Sequence, residues 1–357
     1  MKPTLQDIAN IVGVSKPTIS VVLNNARGGV RVSEPTKQRI IDVAKRLNYH
    51  GNAAARALVT KKSGFISFLL SDTVADGLGN QYFAQYLAGI EHECRDRGYG
   101  LSVSLWNLSN IHEFVFPKKV GQRAVDGLIL GDYVSAAIME QFKQFDIPCV
   151  CLGENQEMEM PAPVISWDMG DGLRQAIDYL LKLGHQRVAL ALPSVPWFIN
   201  LTHELETHYC SLISGGGLNL IKMSLPGVEC DYASGKHLLD QWLETPEDQR
   251  PTAIITSDQA CISIVSEMSE LGLHCPADLS LISSCDSKLC EFAQPRLTAL
   301  WRDMESLGRL AAATLLDGLD ENLSSLPRSV TRLKSKLVMR KSCQQVVSAH
   351  RARSAQV

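Results

Sequence analysis

Leu5, Ile8, Ala9 and Val12 recur at the spacing of one helical face. The same spacing returns in Ile19, Val22 and Leu23, and again in Ile40, Ile41, Val43, Ala44 and Leu47. Three short helices are predicted: about Leu5–Val12, a second opened by Ser15, and a third from Ser33-Glu34-Pro35 to about Leu47. Thr4 is placed to cap the first, and Pro17 falls in the first turn of the second, where a missing N–H costs nothing. Gly13 permits a tight turn between these two helices, and Val14 plugs the space behind it. From Gly64 the pattern changes. Apolar runs at Phe65–Leu70, Leu101–Leu105, Gly127–Leu130, Pro148–Leu152, Arg187–Leu192, Ala253–Thr256 and Leu279–Ser283 predict strands. They alternate with amphipathic helices near Tyr82–Arg97, Ala136–Phe145, Asp171–Leu183, Ala233–Leu243 and Gln259–Leu271. Such strands imply parallel sheets covered on both faces. Two successive sets imply two doubly wound lobes, with ligands at the carboxyl ends of the strands. The fold class is an all-α helix-turn-helix head on an α/β body.

Charge separates the two parts further. Residues 1–62 carry 11 Lys+Arg against 3 Asp+Glu, a net of +8; the whole chain has 35 against 38, which leaves 24 against 35, or −11, for the rest. A basic head on an acidic body reads as a polyanion grip joined to a module with another task. The second helix turns Lys16, Pro17, Thr18, Ser20, Val21 and Asn24 away from its apolar face. These groups are mostly small or polar and can approach base edges and phosphates closely. The head is expected to bind DNA. At 357 residues the chain suits two or three domains. No apolar signal region precedes the first helix, and no 18-residue window is uninterruptedly apolar, so the expected location is cytoplasmic. The ten cysteines are scattered without a CxxC pair and read as buried reduced thiols.

Three other motifs carry no chemistry. His203 and His208 flank Glu204 and Glu206, but zinc-protease histidines stand four apart; a spacing of five turns the rings roughly 140° from each other. Gly215-Gly216-Gly217 lacks the lysine and hydroxyl of a phosphate loop and reads as a turn. No Gly-x-Ser-x-Gly elbow occurs. Neither an enzymatic activity, nor a cofactor, nor a metal is expected.

The run Leu47-Asn48-Tyr49-His50-Gly51-Asn52-Ala53-Ala54-Ala55-Arg56-Ala57-Leu58 resembles the hinge of the lactose-repressor (LacI/GalR) family of bacterial transcription regulators. The resemblance continues through Gly184-His185-Gln186-Arg187, Ser257-Asp258-Gln259, Pro276-Ala277-Asp278-Leu279-Ser280 and Pro295-Arg296-Leu297-Thr298, covering about residues 4–340. It implies a head at 1–48, a hinge helix and linker at 49–63, and a two-lobed effector-binding and dimerisation body at 64–340 with a periplasmic-binding-protein-like fold. Chain crossovers between the lobes are implied near Ile165–Asp168, Cys290–Leu300 and Leu326–Thr331. The remaining residues, 341–357, have no leucine heptads and read as a disordered tail.

The resemblance also implies roles. Lys16 and Pro17 fall where the family reads bases. Thr18, Ser20 and Asn24 fall where it holds phosphates, with Thr4 and Ser15 at the helix starts beside them. Asn52, Ala55 and Leu58 belong to a hinge that folds when two copies meet over the minor groove, where Leu58 is the wedge. Val21 departs from a frequent arginine and would touch a thymine methyl instead of gripping guanine. The pocket departs more. Gly153, Leu205 and Cys285 stand where charged effector anchors are common, and no arginine lies between Arg187 and Arg250. Trp197, Tyr232, Asp258 and Asp286 are the remaining effector candidates, and a neutral or cationic small molecule is expected. The expected function is a regulator, a repressor in type, that binds a palindromic operator as a homodimer tuned by that effector. Two alternatives are a regulator with a degenerate, effector-independent pocket and a solute-binding module with an inactive head.

Overall fold

A computed structural model of the chain describes residues 3–23, 32–49, 62–72, 74, 77–108, 110–131, 134–153, 160–192, 201, 203–205, 209, 218–223, 231–321, 323 and 326–346. The chain divides into two compact units, Met1–Gly64 with Arg123–Val125, and Phe65–Gln122 with Asp126–Val357.

The first unit holds three helices, α1 (Leu5–Val12), α2 (Lys16–Leu23) and α3 (Glu34–Arg46). Thr4 and Asp7 close α1 reciprocally: the Asp7 N–H donates to Thr4 Oγ1 at 3.3 Å and the Thr4 N–H donates to Asp7 Oδ2 at 2.8 Å. These bonds from Thr4 hold the Asp7 carboxyl below its ordinary pKa. Gly13 ends α1 with φ of 80°, a conformation that costs a residue without Cβ nothing. Ser15 starts α2, its Oγ accepting from the Thr18 N–H at 3.4 Å. Ile8, Ile19 and Ile40, one from each helix, are fully buried at the centre, with Ala9, Val12, Val43 and Ala44 around them.

In the second unit the described strands are β1 (Phe65–Ser71), β2 (Gly100–Trp106), β3 (Gly127–Gly131), β4 (Cys149–Leu152), β5 (Val164–Asp168), β6 (Arg187–Leu190), β7 (Asn219–Lys222), β8 (Ala253–Thr256), β9 (Ser280–Ser283), β10 (Thr298–Trp301), β11 (Val330–Lys334) and β12 (Lys336–Val338). They form two six-stranded sheets among the described residues, ordered β11-β5-β4-β3-β1-β2 and β12-β10-β9-β8-β6-β7. Every described pairing is parallel except β10 with β12. Buried strands such as Gly127-Leu128-Ile129-Leu130-Gly131 have no polar face because helices cover both sides of the sheet.

The sheets exchange chain three times. At Asp168 the chain leaves β5 of the first sheet, and the helix Met169–Lys182 that follows packs Met169, Leu173 and Ile177 into the second lobe. After β10 it returns through Arg302 and Asp303 into the helix Met304–Asp320, whose Leu307, Ala311 and Leu315 belong to the core of the first lobe. It crosses again at Ser335, between β11 of the first sheet and β12 of the second. The first crossover lies where the sequence places it. The second falls just after Trp301, beside the expected Cys290–Leu300, and the third at Ser335, a few residues past Leu326–Thr331, because the chain runs to the ends of β10 and β11 before it leaves each sheet.

Met304–Asp320 is absent from the helices expected from sequence, yet it is a principal wall of the first lobe. It packs on the helix Gln81–Asp96 through two glycines. A Cβ at Gly308 would sit 2.1 Å from the Tyr86 carbonyl oxygen, and one at Gly89 would sit 1.9 Å from that of Glu305. The same Tyr86 is fully buried and accepts a 2.9 Å bond at its hydroxyl from Trp167 Nε1–H. The helix contact is thereby joined to β5 of the sheet.

A second correction concerns the tail. Residues 341–346 are tied to the second lobe by hydrogen bonds, and Ser342 is fully buried. Its Oγ accepts from the Thr298 N–H at 2.8 Å and donates to the Leu281 carbonyl at 2.6 Å. The Val346 N–H donates to the Leu183 carbonyl at 2.9 Å. The segment is a strap across the second lobe, and its short polar side chains satisfy buried backbone groups there. The rest of the expected tail, 347–357, lies outside the described residues.

Candidate DNA-binding and effector sites

In the head, Ser15, Lys16 and Pro17 are exposed at the start of α2, while Thr18, Ser20 and Val21 are half-buried along it. Ile19 points inward. A helix start that presents a lysine and small side chains is chemically suited to phosphate and base edges. Thr4 is exposed but its hydroxyl is engaged with Asp7 as the α1 cap, 2.8 Å from Oδ2. Its first role is therefore structural, with the side chain at the surface. Arg39, Lys45 and Arg46 on α3 are exposed as well. Asn24, Asn52, Ala55 and Leu58 lie outside the described residues.

In the body, β8, β9 and β10 are neighbours and parallel, so their carboxyl ends open on one side. After β8, Ser257 caps the helix Asp258–Glu270, accepting from the Ala260 N–H at 3.1 Å. Asp258 accepts the Gln259 N–H at 2.9 Å and the Ser287 hydroxyl, a bond that ties the turn after β8 to the turn after β9. Asp286 does something different. Both its oxygens receive the Arg340 guanidinium, at 2.8 and 2.9 Å, and the same guanidinium donates to the Leu297 carbonyl at 2.8 Å. Asp286 lifts the Arg340 pKa further above its ordinary value. Leu297 precedes β10 and Arg340 leads into the strap, so this pair ties the turn after β9 to the start of the strap.

Tyr232 is half exposed as the first residue of the helix Tyr232–Glu244, which Asp231 caps through the Ser234 N–H at 2.9 Å. Trp197 lies outside the described residues. Leu205 is buried in the apolar core of the second lobe and offers no polar contact. Cys285 follows β9, and burial pushes its thiol far above the ordinary range. Sequence reasoning missed Arg302. It directly follows β10, is 7% exposed, and donates to the Ser284 carbonyl at 2.6 Å. The signal was present: an arginine closing the apolar run Leu297–Trp301, just before the Asp303 cap of the next helix.

His185, from the Gly-His-Gln-Arg motif, is an internal clamp. It is buried, with Nδ1 2.8 Å from Thr252 Oγ1 and Nε2 3.1 Å from the Gln344 carbonyl of the strap. Burial lowers its pKa below the ordinary 6.5. The described cysteines are free thiols. Among the described residues no cluster has the composition to hold a metal, and no helix is long and apolar enough to cross a membrane.

Two family models match. Residues 4–52 match the one described as bacterial regulatory proteins, lacI family, and residues 177–343 match the periplasmic binding protein-like domain. Catabolite control protein A of Priestia megaterium is 26% identical over 351 residues, spanning 96% of this chain and 99% of its own. The chain belongs to the lacI family of bacterial regulatory proteins. A further relative of this LacI-family protein, the probable HTH-type transcriptional repressor ExuR of Bacillus subtilis, is 27% identical over 322 residues, 89% of this chain and 92% of its own. In fold, the LacI-family chain is similar to a lac repressor dimer bound to operator and an anti-inducer. The TM-score is 0.76 and the identity 24%, over 96% of this chain and 100% of that one.

Proposed function

We propose that this LacI-family chain is a cytoplasmic transcriptional repressor that binds a palindromic operator as a homodimer, with a small molecule in the interlobe cleft setting its affinity. The observation that carries the reading is the start of α2. Lys16 and Pro17 stand exposed on a helix that buried Ile19 fixes against α1 and α3, in the part of the chain that matches the lacI family model. A helix-turn-helix places those first residues against base edges, and a dimer matches a palindrome by symmetry. The relatives' names support repression, and the solved relative is a dimer on operator with a small ligand.

Lys16, Pro17 and Val21 are assigned to base contact, Ser15, Thr18, Ser20 and Asn24 to phosphates, and Asn52, Ala55 and Leu58 to the minor groove. The effector is assigned to the carboxyl ends of the second-lobe strands, where Asp258 after β8 and Tyr232 after β7 are candidates; Trp197 is a candidate from sequence alone. The bond from Ser287 leaves Asp258 partly engaged, and Asp286 is better assigned to the strap.

Binding of the full chain to operator and to random DNA, with Lys16→Ala and Leu58→Ala, tests the reading. Lys16→Ala should weaken operator binding by about 1–3 kcal/mol if it reads a base. Leu58→Ala should weaken operator binding far more than random binding, because only the bent specific complex uses the wedge. Equal losses on both DNAs would reduce Leu58 to a packing role.

A further inference from the structure

Charge within the body is unevenly placed. Residues 63–357 carry 24 Lys+Arg against 35 Asp+Glu, yet the stretch from Phe114 to Arg123 holds three basic residues and no acidic one. Those three, Lys118, Lys119 and Arg123, are exposed. Lys119 Nζ donates to the Ser102 hydroxyl at 2.8 Å, a neutral partner that leaves its charge uncancelled. Lys118 and Arg123 have no ion-pair partner among the described residues. Arginines elsewhere on this lobe are matched: Arg97 meets Glu93 and Asp317, and Arg309 meets Glu93 and Asp96. Long exposed cations without counter-charges suit a polyanion.

Their place in the fold narrows the choice. β1, β2 and β3 are parallel, with Phe65 opposite Gly100 and Ile66 opposite Gly127, so their amino ends share one edge of the first sheet. The Asp126 N–H donates to the Phe65 carbonyl at 2.7 Å, which brings the segment ending at Arg123 in beside the start of β1. Lys119 reaches the same edge through Ser102, the residue opposite Ser67. Arg123 itself turns with φ of 52°. Glycine or asparagine is the usual choice in that left-handed conformation, and here the turn carries a guanidinium instead.

The head joins the body at this edge, because Phe65 opens β1. Only seven residues of chain separate Phe65 from Leu58. At roughly 3.3–3.6 Å per residue, the edge stays within about 25 Å of a wedge seated in the minor groove.

We propose that this edge of the first lobe is a second DNA-contacting surface, on which Lys118, Lys119 and Arg123 take backbone phosphates near the centre of the operator. It adds affinity without sequence preference, since phosphates are alike at every step. The inference rests on the reading of the head and hinge as an operator grip.

The test titrates the full chain on the operator recovered by selection, at about 50 and 200 mM salt. It compares wild type, the triple variant Lys118→Gln with Lys119→Gln and Arg123→Gln, and the single variant Arg123→Gly. A charge-matched control carries Lys182→Gln, Lys236→Gln and Arg296→Gln, all at exposed positions of the second lobe. Each phosphate contact adds about 0.9 to the salt slope, so the four-fold rise in salt should cost the wild type roughly 40-fold more affinity than the triple variant. Against Arg123→Gly the difference should be about three- to four-fold. The control should follow the wild type. Arg123→Gly should melt close to the wild type, because relief of the left-handed turn offsets the added freedom of its unfolded chain.

A triple variant that loses affinity with salt as steeply as the wild type would overturn the surface, leave the head's own grip standing, and turn the patch over to an acidic protein. A control that flattens the slope equally would assign the effect to net charge and overturn the surface too. A wild type that holds no operator would defeat the regulator reading itself, and the surface with it.

Discussion

Replacing Asp286 with asparagine removes the charge that faces Arg340 while keeping the shape. The Asp286 side chain is 8% exposed and that of Arg340 17%, so the pair is largely shielded from water, and the asparagine leaves a guanidinium with one acceptor oxygen in place of two. Breaking one side of a buried, bidentate pair costs about 3–5 kcal/mol. Partial access to water at Arg340 favours the lower end, about 3 kcal/mol. For a unit as large as the body, a loss of that size lowers Tm by about 6–12 °C. The assay is thermal and urea unfolding of wild type, Asp286→Asn, Arg340→Met, and Asp286→Leu with Arg340→Met. The single variants should be destabilised, and the double variant should recover much of the loss, since it buries no lone charge. Ligand affinity measured on folded Asp286→Asn should match the wild type. An unchanged Tm together with lost ligand binding would refute the clamp and return Asp286 to the effector site.

Gly308→Ala should destabilise the first lobe by about 1–3 kcal/mol in urea melts, although alanine is the better helix former by about 1 kcal/mol, because the clash is with backbone; a variant more stable than wild type would mean the helices yield. The buried, neutral His185 gives stability that is full above its unfolded pKa near 6.5 and is lost as pH falls towards its lower folded value. Urea midpoints should therefore drop between about pH 7.5 and pH 5.5 in the wild type and drop less in His185→Gln; parallel profiles would show that His185 plays no part.

The sequence was most informative where periodicity is local. The helices of the head, their caps at Thr4 and Ser15, and the fully apolar strands such as Cys149–Leu152 are set by neighbours a few residues away. It was least informative where a segment serves a distant part of the chain. Met304–Asp320 follows the strands of the second lobe but fills the first, and the strap at 341–346 looks polar although its Ser342 side chain bonds to buried backbone. Site residues divide the same way. The exposed start of α2 follows from one helix and its cap. The partners of Asp286 and Arg302 lie 54 and 18 residues away, and only the fold brings them together.

The central claim is that the basic head grips DNA specifically. The direct measurement is selection of full-length protein on a random duplex library, followed by titration of the recovered sequence at about 50 and 200 mM salt. The account predicts a palindromic site that binds two chains, with affinity falling by roughly 10³-fold or more across that range as phosphate contacts release counterions. Recovery of no preferred sequence, or affinity indifferent to salt, would contradict it.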